Sequence, residues 1–318
     1  MKRGLSMYLH EDRENFRDIV EQVADNTGRT IAVVEKDYYV TLILKLLSEQ
    51  LENCVFKGGT SLSKGFHAIN RFSEDIDITF NEHIGEARRK KLKNVILKGI
   101  SEELGMPISN LEDTQSDRDY NAYLFSYDSV VGMEDDRMLQ NVKLETALGS
   151  YAFPTEEVVI DNYIGNYFIG RNREDLAIQF SLNKFTMKLQ SLDRTYIDKV
   201  FALCDYYIQR RSKRCSRHLY DIYKLTPLIK LDDDFDKLFI EVREHRAKMK
   251  ICPSAKSDVN VSDIINQFCD DGFYEDDYHT ITNYFAEDMV EYQDVIEQMR
   301  KLAQMKIIKS ISISKEPE

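Results

Sequence analysis

The chain has 318 residues, of which 42% are hydrophobic, with 18 Tyr and 16 Phe, and its formal net charge is −12. That is enough apolar material for one large core or two ordinary ones, and the acidity excludes a protein that coats nucleic acid with its whole surface. Five cysteines without a C-x-x-C pair exclude a disulfide framework and a zinc ribbon, and fit a reducing cytoplasm.

The opening stretch, "MKRGLSMYLHEDREN", is charged with no apolar segment behind it, so no signal peptide is expected. No apolar run reaches the roughly 18 residues of a membrane span. Residues 10–26 have helical spacing through Phe16, Ile19, Val20 and Val23, closed by Gly28. A second helix is expected over 30–50, with Val33, Val34, Tyr38, Leu42 and Leu46 on one face. "CVFKGGT" reads as a short strand ending in glycines, followed by a helix capped by Thr60 or Ser61. "DIDITF" reads as a strand by alternation. Residues 84–104 form a basic helix.

Beyond Pro107 the pattern changes. "YNAYLFSYDSV", "MLQNVKLETAL" and "EEVVIDNYIGNYF" read as strands, and Gly and Pro are too scarce for repeats or disorder. From about 180 the period is 3.6, with helices expected at 193–209, 216–226, 233–248, 260–269 and 280–304. The tail "KIIKSISISKEPE" is expected to add a short strand and fray. The expected fold class is α/β (α+β): a mixed sheet flanked by helices over 1–185, then a helical bundle over 186–318.

The stretch "FKGGTSLSKGFHAINRFSEDIDITF" at 56–80 carries the chemistry. On a strand Asp75 and Asp77 point to one face while Ile76 and Ile78 point to the core. Two carboxylates so placed repel unless a cation lies between them, and an all-oxygen donor set suits Mg²⁺. Gly58 and Gly59 let backbone amides approach a phosphate, with Lys57 before them and the hydroxyls of Thr60 and Ser61 after. A lone D-x-D is commonly a solvated strand edge, and a lone Gly-Gly a turn. Their combination in a strand–turn–helix–strand points to a nucleoside triphosphate site.

The second constellation is "SLDRTYIDKVFALCDYYIQRRSKRCSRHLYDIYKL". Asp193 is expected to cap a helix on which Lys199 lies off the apolar stripe. Arg217 and Asp221 stand at i, i+4 and are expected to pair. Residue physics alone reads these as solvated helix faces. Of the histidines, His10, His83, His245 and His279 are expected at the surface, and His67 and His218 lack metal-ligand spacing. The acidic "DDGFYEDDY" at 270–278 has the wrong spacing for an EF-hand and reads as a solvated loop.

"VEKDYYV" at 34–40, "FKGGTSLSKGF…RFSEDIDITF", "DRTYIDKVFAL" at 193–203 and "RHLYDIYKL" at 217–225 together resemble, in order, the motifs of the AbiEii/AbiGii toxin nucleotidyltransferases. The resemblance implies a DNA-polymerase-β-like core followed by a helical domain that contributes Lys199 and Asp221 to the cleft. It makes Asp75 and Asp77 metal ligands for Mg²⁺, places Gly58, Gly59 and Ser73 in the nucleotide motif, and gives Lys199 the triphosphate. Asp221 then orients that lysine or binds metal. A third carboxylate is common in such folds; Glu145 is the candidate, with Glu156 and Glu157 as alternatives. The implied activity is transfer of a nucleotide from an NTP to the 3′ end of tRNA or to a protein hydroxyl, by a bacterial toxin with a cognate antitoxin that acts in growth inhibition or phage defence. Basic runs at 88–93 and 210–218 offer surfaces for an RNA acceptor. The rival readings are an antibiotic-type small-molecule nucleotidyltransferase, a D-x-D glycosyltransferase with no use for Gly58-Gly59, and a catalytically silent helical binding protein.

Overall fold

The computed structural model describes residues 8–131, 140–149 and 151–309. Internal packing divides them into two units: the residues up to Phe66 together with Ser73–Leu189, and His67–Phe72 together with the chain from Gln190 onward.

The first unit opens with helix α1 (Arg13–Thr27), capped by the Asp12 carboxylate on Asn15 N and stopped by Gly28 at φ +69°. Thr30 caps α2 (Ile31–Gln50) by accepting from Val33 N. Residues 34–44 of α2 are all buried, charged ones included, so this helix lies inside the unit with no solvent face there. Strand β1 (Cys54–Lys57) leads directly into α3 (Gly58–Lys64), and β2 (Ile76–Phe80) follows. The helix therefore starts at Gly58, two residues before the first expected cap; φ is +81° there, open to a residue without Cβ.

The basic helix is present as α4 (Glu86–Lys91), a wider π-helical stretch Leu92–Leu97, and α5 (Lys98–Glu103). Strands β3 (Tyr120–Ser126), β4 (Asn141–Ala147) and β5 (Thr155–Ile160) come next. The third expected strand is cut short. Asn162 accepts from Gly165 N and starts α6 (Tyr163–Ile169), which is followed by α7 (Glu174–Gln179). A helical period from 180 onward does not hold either, because Phe185–Gln190 forms strand β6.

The six strands among the described residues join one sheet in the order β3-β4-β2-β1-β6-β5. β2 is antiparallel to β1 and parallel to β4, and β3 is antiparallel to β4. Alternation sends Ile76, Ile78, Tyr123, Phe125, Val142 and Leu144 into the core. Asp77, Lys143 and Glu145 point to the opposite face.

The second unit holds α8 (Leu192–Ile208), α9 (Arg217–Leu225), α10 (Asp233–Ala247) and α11 (Val261–Asp270). The cap of α8 is Ser191, which accepts from Arg194 N; Asp193 already lies inside the first turn. The long helix expected over 280–304 is broken. It consists of α12 (Glu275–Asp277), a π-helical Tyr278–Thr282 and α13 (Asn283–Phe285), then an irregular link to α14 (Tyr292–Ala303). The break has a cause in the hydrogen bonding: Phe72 N donates to Phe285 O and Glu287 N donates to Asn70 O, so this backbone bonds to residues 70–72 instead of to itself. The tail begins with a helical turn, α15 (Lys306–Lys309), and the strand expected further on lies outside the described residues.

No helix among the described residues is long and apolar enough to cross a membrane. All five cysteines are buried free thiols. His10 departs from expectation. It is packed among Tyr8, Tyr38 and Tyr39, with Nε2 3.1 Å from Leu104 O. His67 follows the motif helix instead of lying in it, at φ +50°.

Candidate active site

Sheet register assembles the carboxylates. Asp77 stands opposite Lys57 across the β1–β2 pair and opposite Glu145 across the β2–β4 pair. Glu145, not Glu156 or Glu157, is thus the third carboxylate beside the D-x-D. The other two lie exposed on β5, at the far edge of the sheet. A side chain at Gly58 would set its Cβ 2.1 Å from Asp77 Oδ2, so the motif glycine makes room for the aspartate itself.

Burial and the negative charge of Glu145 push Asp77 up to about 7. Burial likewise raises Asp75, against the opposing charge of Lys143. Burial alone would raise Glu145 too, but the hydrogen bond and charge of Lys143, with hydrogen bonds from Asp77 and Tyr120, hold it below its ordinary value. The Lys143 ammonium lies 3.1 Å from Asp75 Oδ2 and 2.7 Å from Glu145 Oε1. Tyr120 donates to the same Glu145 oxygen at 2.8 Å.

Among the described residues, no three His, Cys, Asp or Glu side chains already surround a common point as a metal centre. The chemistry of the set nevertheless fits a divalent cation. It is oxygen-only, Asp77 and Glu145 stand in register on one sheet face with Asp75 close by at the Lys143 ammonium, and burial with the Glu145 charge disfavours the bare Asp77 carboxylate in the absence of a bound cation.

Thr60 and Ser61 are both buried, and their hydroxyls are used internally. Ser61 Oγ donates to Gly58 O, and Thr60 Oγ1 donates to Asp75 O and lies 3.0 Å from Ser73 Oγ. Ser73 is only part-buried.

The motif "VEKDY" explains three buried charges in a row. Successive helical residues point about 100° apart, so each reaches a different segment. Glu35 accepts from Ser129 Oγ and Val130 N. Lys36 holds Glu74 at 3.1 Å, next to Asp75. Asp37 pairs with Lys64 at the end of α3 and accepts from Tyr163 N.

In the second unit, Lys199 and Asp221 are buried instead of lying on solvated faces. Arg71 grips Asp221 in a fork, Nε to Oδ1 and Nη2 to Oδ2, both at 2.7 Å. Lys199 Nζ donates to Asp221 Oδ2 at 2.7 Å and lies 3.3 Å from His218 Nδ1. Burial would raise the Asp221 carboxyl, but the charges of Arg71 and Lys199 outweigh it and hold it well below the usual range. Burial and the Lys199 charge push His218 well down, which keeps the imidazole neutral. Both Asp221 oxygens face cations of the protein, an arrangement suited to orienting Lys199. The expected partner Arg217 donates through Nε to Arg214 O.

Arg71 and Lys143 went unrecognised in the sequence. Lys143 had a signal: it stands two residues before Glu145 on an alternating strand. Arg71 had none, being 150 positions away from its partner.

The basic runs differ. In 88–93, Arg88, Arg89 and Lys90 pair with Glu82, Asp119 and Glu86, and Lys93 donates to Thr114 O. In the loop before α9, Arg210, Arg211, Lys213 and Arg214 are exposed. Buried Asp277 braces that loop by accepting from Arg214 N, Ser216 N and Ser216 Oγ. The acidic run is thus partly structural, and not a solvated loop throughout.

The search of curated proteins returned no match. The profile of the family described as "Nucleotidyl transferase AbiEii toxin, Type IV TA system" matches residues 43–304. That stretch includes the carboxylate face, the Lys199–Asp221–Arg71 cluster and most of both units, and the chain therefore belongs to the AbiEii nucleotidyl transferase toxins of type IV toxin–antitoxin systems.

Proposed function

We propose that the protein transfers a nucleotide from an NTP to the 3′ end of a tRNA, using Mg²⁺ held by Asp75 and Asp77, as a growth-inhibiting or phage-defence toxin controlled by a cognate antitoxin. The family supports the transferase, its NTP and the antitoxin. The metal reading is supported by Asp77 and Glu145 in register on one sheet face, with Asp75 close by at the Lys143 ammonium.

A divalent ion bound there supplies positive charge to the α-phosphate and the leaving pyrophosphate. The chain's own residues do the rest. Gly58 and Gly59 leave backbone open at the strand end beside the aspartates, with Lys57 opposite Asp77 in register. Ser73 offers a hydroxyl toward the nucleotide. Lys199 is a point charge for the triphosphate, and Asp221 and Arg71 fix its position. The acceptor hydroxyl forms a new bond to the α-phosphorus as the bond to pyrophosphate breaks.

The observation that favours RNA over other acceptors is the braced loop. Four exposed cations stand on it in a chain of net charge −12. A phosphate backbone makes use of such a surface, whereas a compact antibiotic does not. The experiment is to incubate the purified protein with each α-labelled NTP and bulk tRNA in Mg²⁺. Label in tRNA is the expected result. Label in the protein itself would transfer the reading to a hydroxyl of a polypeptide, and no label in either with any NTP would overturn it.

A further inference from the structure

Among the described residues Lys143 is the cation that bridges two of the three carboxylates. β2 and β4 run parallel with Asp77 opposite Glu145. Two residues back, just before β2, Asp75 lies beside Lys143 of β4. The ammonium bridges Asp75 and Glu145 at 3.1 and 2.7 Å, oxygens that a divalent ion would also seek. Its side chain is 35% exposed, so it has room to leave.

We propose that Lys143 is a resident counter-cation of this cluster, which holds the metal-free carboxylates together and competes with the divalent ion for Asp75 and Glu145. The inference rests on the metal reading of Asp75 and Asp77 given above. Its consequence is weak metal binding in the absence of nucleotide. A positive charge about 3 Å from two carboxylates opposes a second cation by an amount that is large on the scale of ordinary binding. An incoming triphosphate offers the released ammonium another anion.

The test is binding, not turnover. Free Mn²⁺ is followed by electron paramagnetic resonance in titrations of nucleotide-free wild type, Lys143→Met and Lys143→Arg. Lys143→Met is expected to bind Mn²⁺ about tenfold more tightly or better, and Lys143→Arg to stay near wild type. A second measurement covers a Lys143→Met protein that is poorly folded in chelator: saturating Mn²⁺ should raise its Tm by more than it raises that of wild type. Affinity and Tm gain unchanged from wild type overturn the role of Lys143. Adding Asp77→Asn to Lys143→Met separates the two ideas. Loss of Mn²⁺ binding in the double variant keeps the metal reading whatever Lys143 does, and retention of binding places the ion elsewhere and overturns both.

Discussion

Asp77 and Asp221 carry the same group in opposite surroundings, so the same substitution should move stability in opposite directions. Asp77 is raised to about 7 from an ordinary 3.8. The folded chain therefore holds its proton more tightly than the unfolded chain, and stability from this group falls as pH rises from about 4 through about 7. Asp77→Asn removes that penalty. A Tm gain of about 2–4 °C is expected for the metal-free protein at pH 8, shrinking toward pH 5, with nucleotide transfer abolished. Thermal melts at the two pH values check the sign; a loss at pH 8 would contradict it. Asp221 is depressed instead, so its contribution is present above the ordinary aspartate value and is lost as pH falls below it. Asp221→Asn leaves Arg71 and Lys199 buried without an anion, at an expected cost of about 3–5 kcal/mol in urea unfolding. Lys199→Ala is intermediate. Asp221 keeps its Arg71 fork, so the protein folds with a loss of about 1–3 kcal/mol. The rate of transfer should fall on the order of 100-fold or more. A near-wild-type rate in a folded Lys199→Ala protein would remove that lysine from the triphosphate.

The strand–turn–helix of β1 and α3 has a narrow tolerance. At Gly58 the backbone is left-handed and a Cβ would collide with Asp77. Gly58→Ala must therefore strain the backbone and displace the carboxylate together. The expected cost is about 1–3 kcal/mol, with Mn²⁺ binding weakened as well. Retention of wild-type metal affinity in Gly58→Ala would show that the aspartate does not need the space. The helix α2 is tied to its surroundings through buried charges. Its buried Glu35, Lys36 and Asp37 each clamp another segment, so its polar residues do in this fold what apolar ones do elsewhere.

A net charge of −12 opposes nucleic-acid binding, and the braced loop sets four exposed cations against it. Neutralising Arg210, Arg211, Lys213 and Arg214 together should weaken binding of the proposed tRNA acceptor without altering NTP binding. Each lost phosphate contact should reduce the salt slope by roughly 0.7–0.9. The acceptor Michaelis constant at two salt concentrations, for wild type and the fourfold variant, checks this. Parallel slopes would take RNA guidance away from the loop.

Local pattern was enough for α1, α2, β1 and β2, and for the order of motifs that marks the family. These rest on neighbours in sequence, and periodicity reports neighbours directly. It failed where distant groups compete for the backbone or the charge. The helix expected over 280–304 breaks because residues 70–72 take its hydrogen bonds. Strand β6 does alternate, Phe185, Met187 and Leu189 against Thr186, Lys188 and Gln190, but the helical period read from about 180 runs over these six residues. Lys199 and Asp221 looked like surface charges because their burial depends on Arg71, which no helical spacing connects to them. Glu145 is the candidate in the sequence, but only strand order and register set it, and not Glu156 or Glu157, opposite Asp77. A sequence states which side chains alternate; only the folded sheet states which strand lies next to which, and that adjacency set the charges around Asp77.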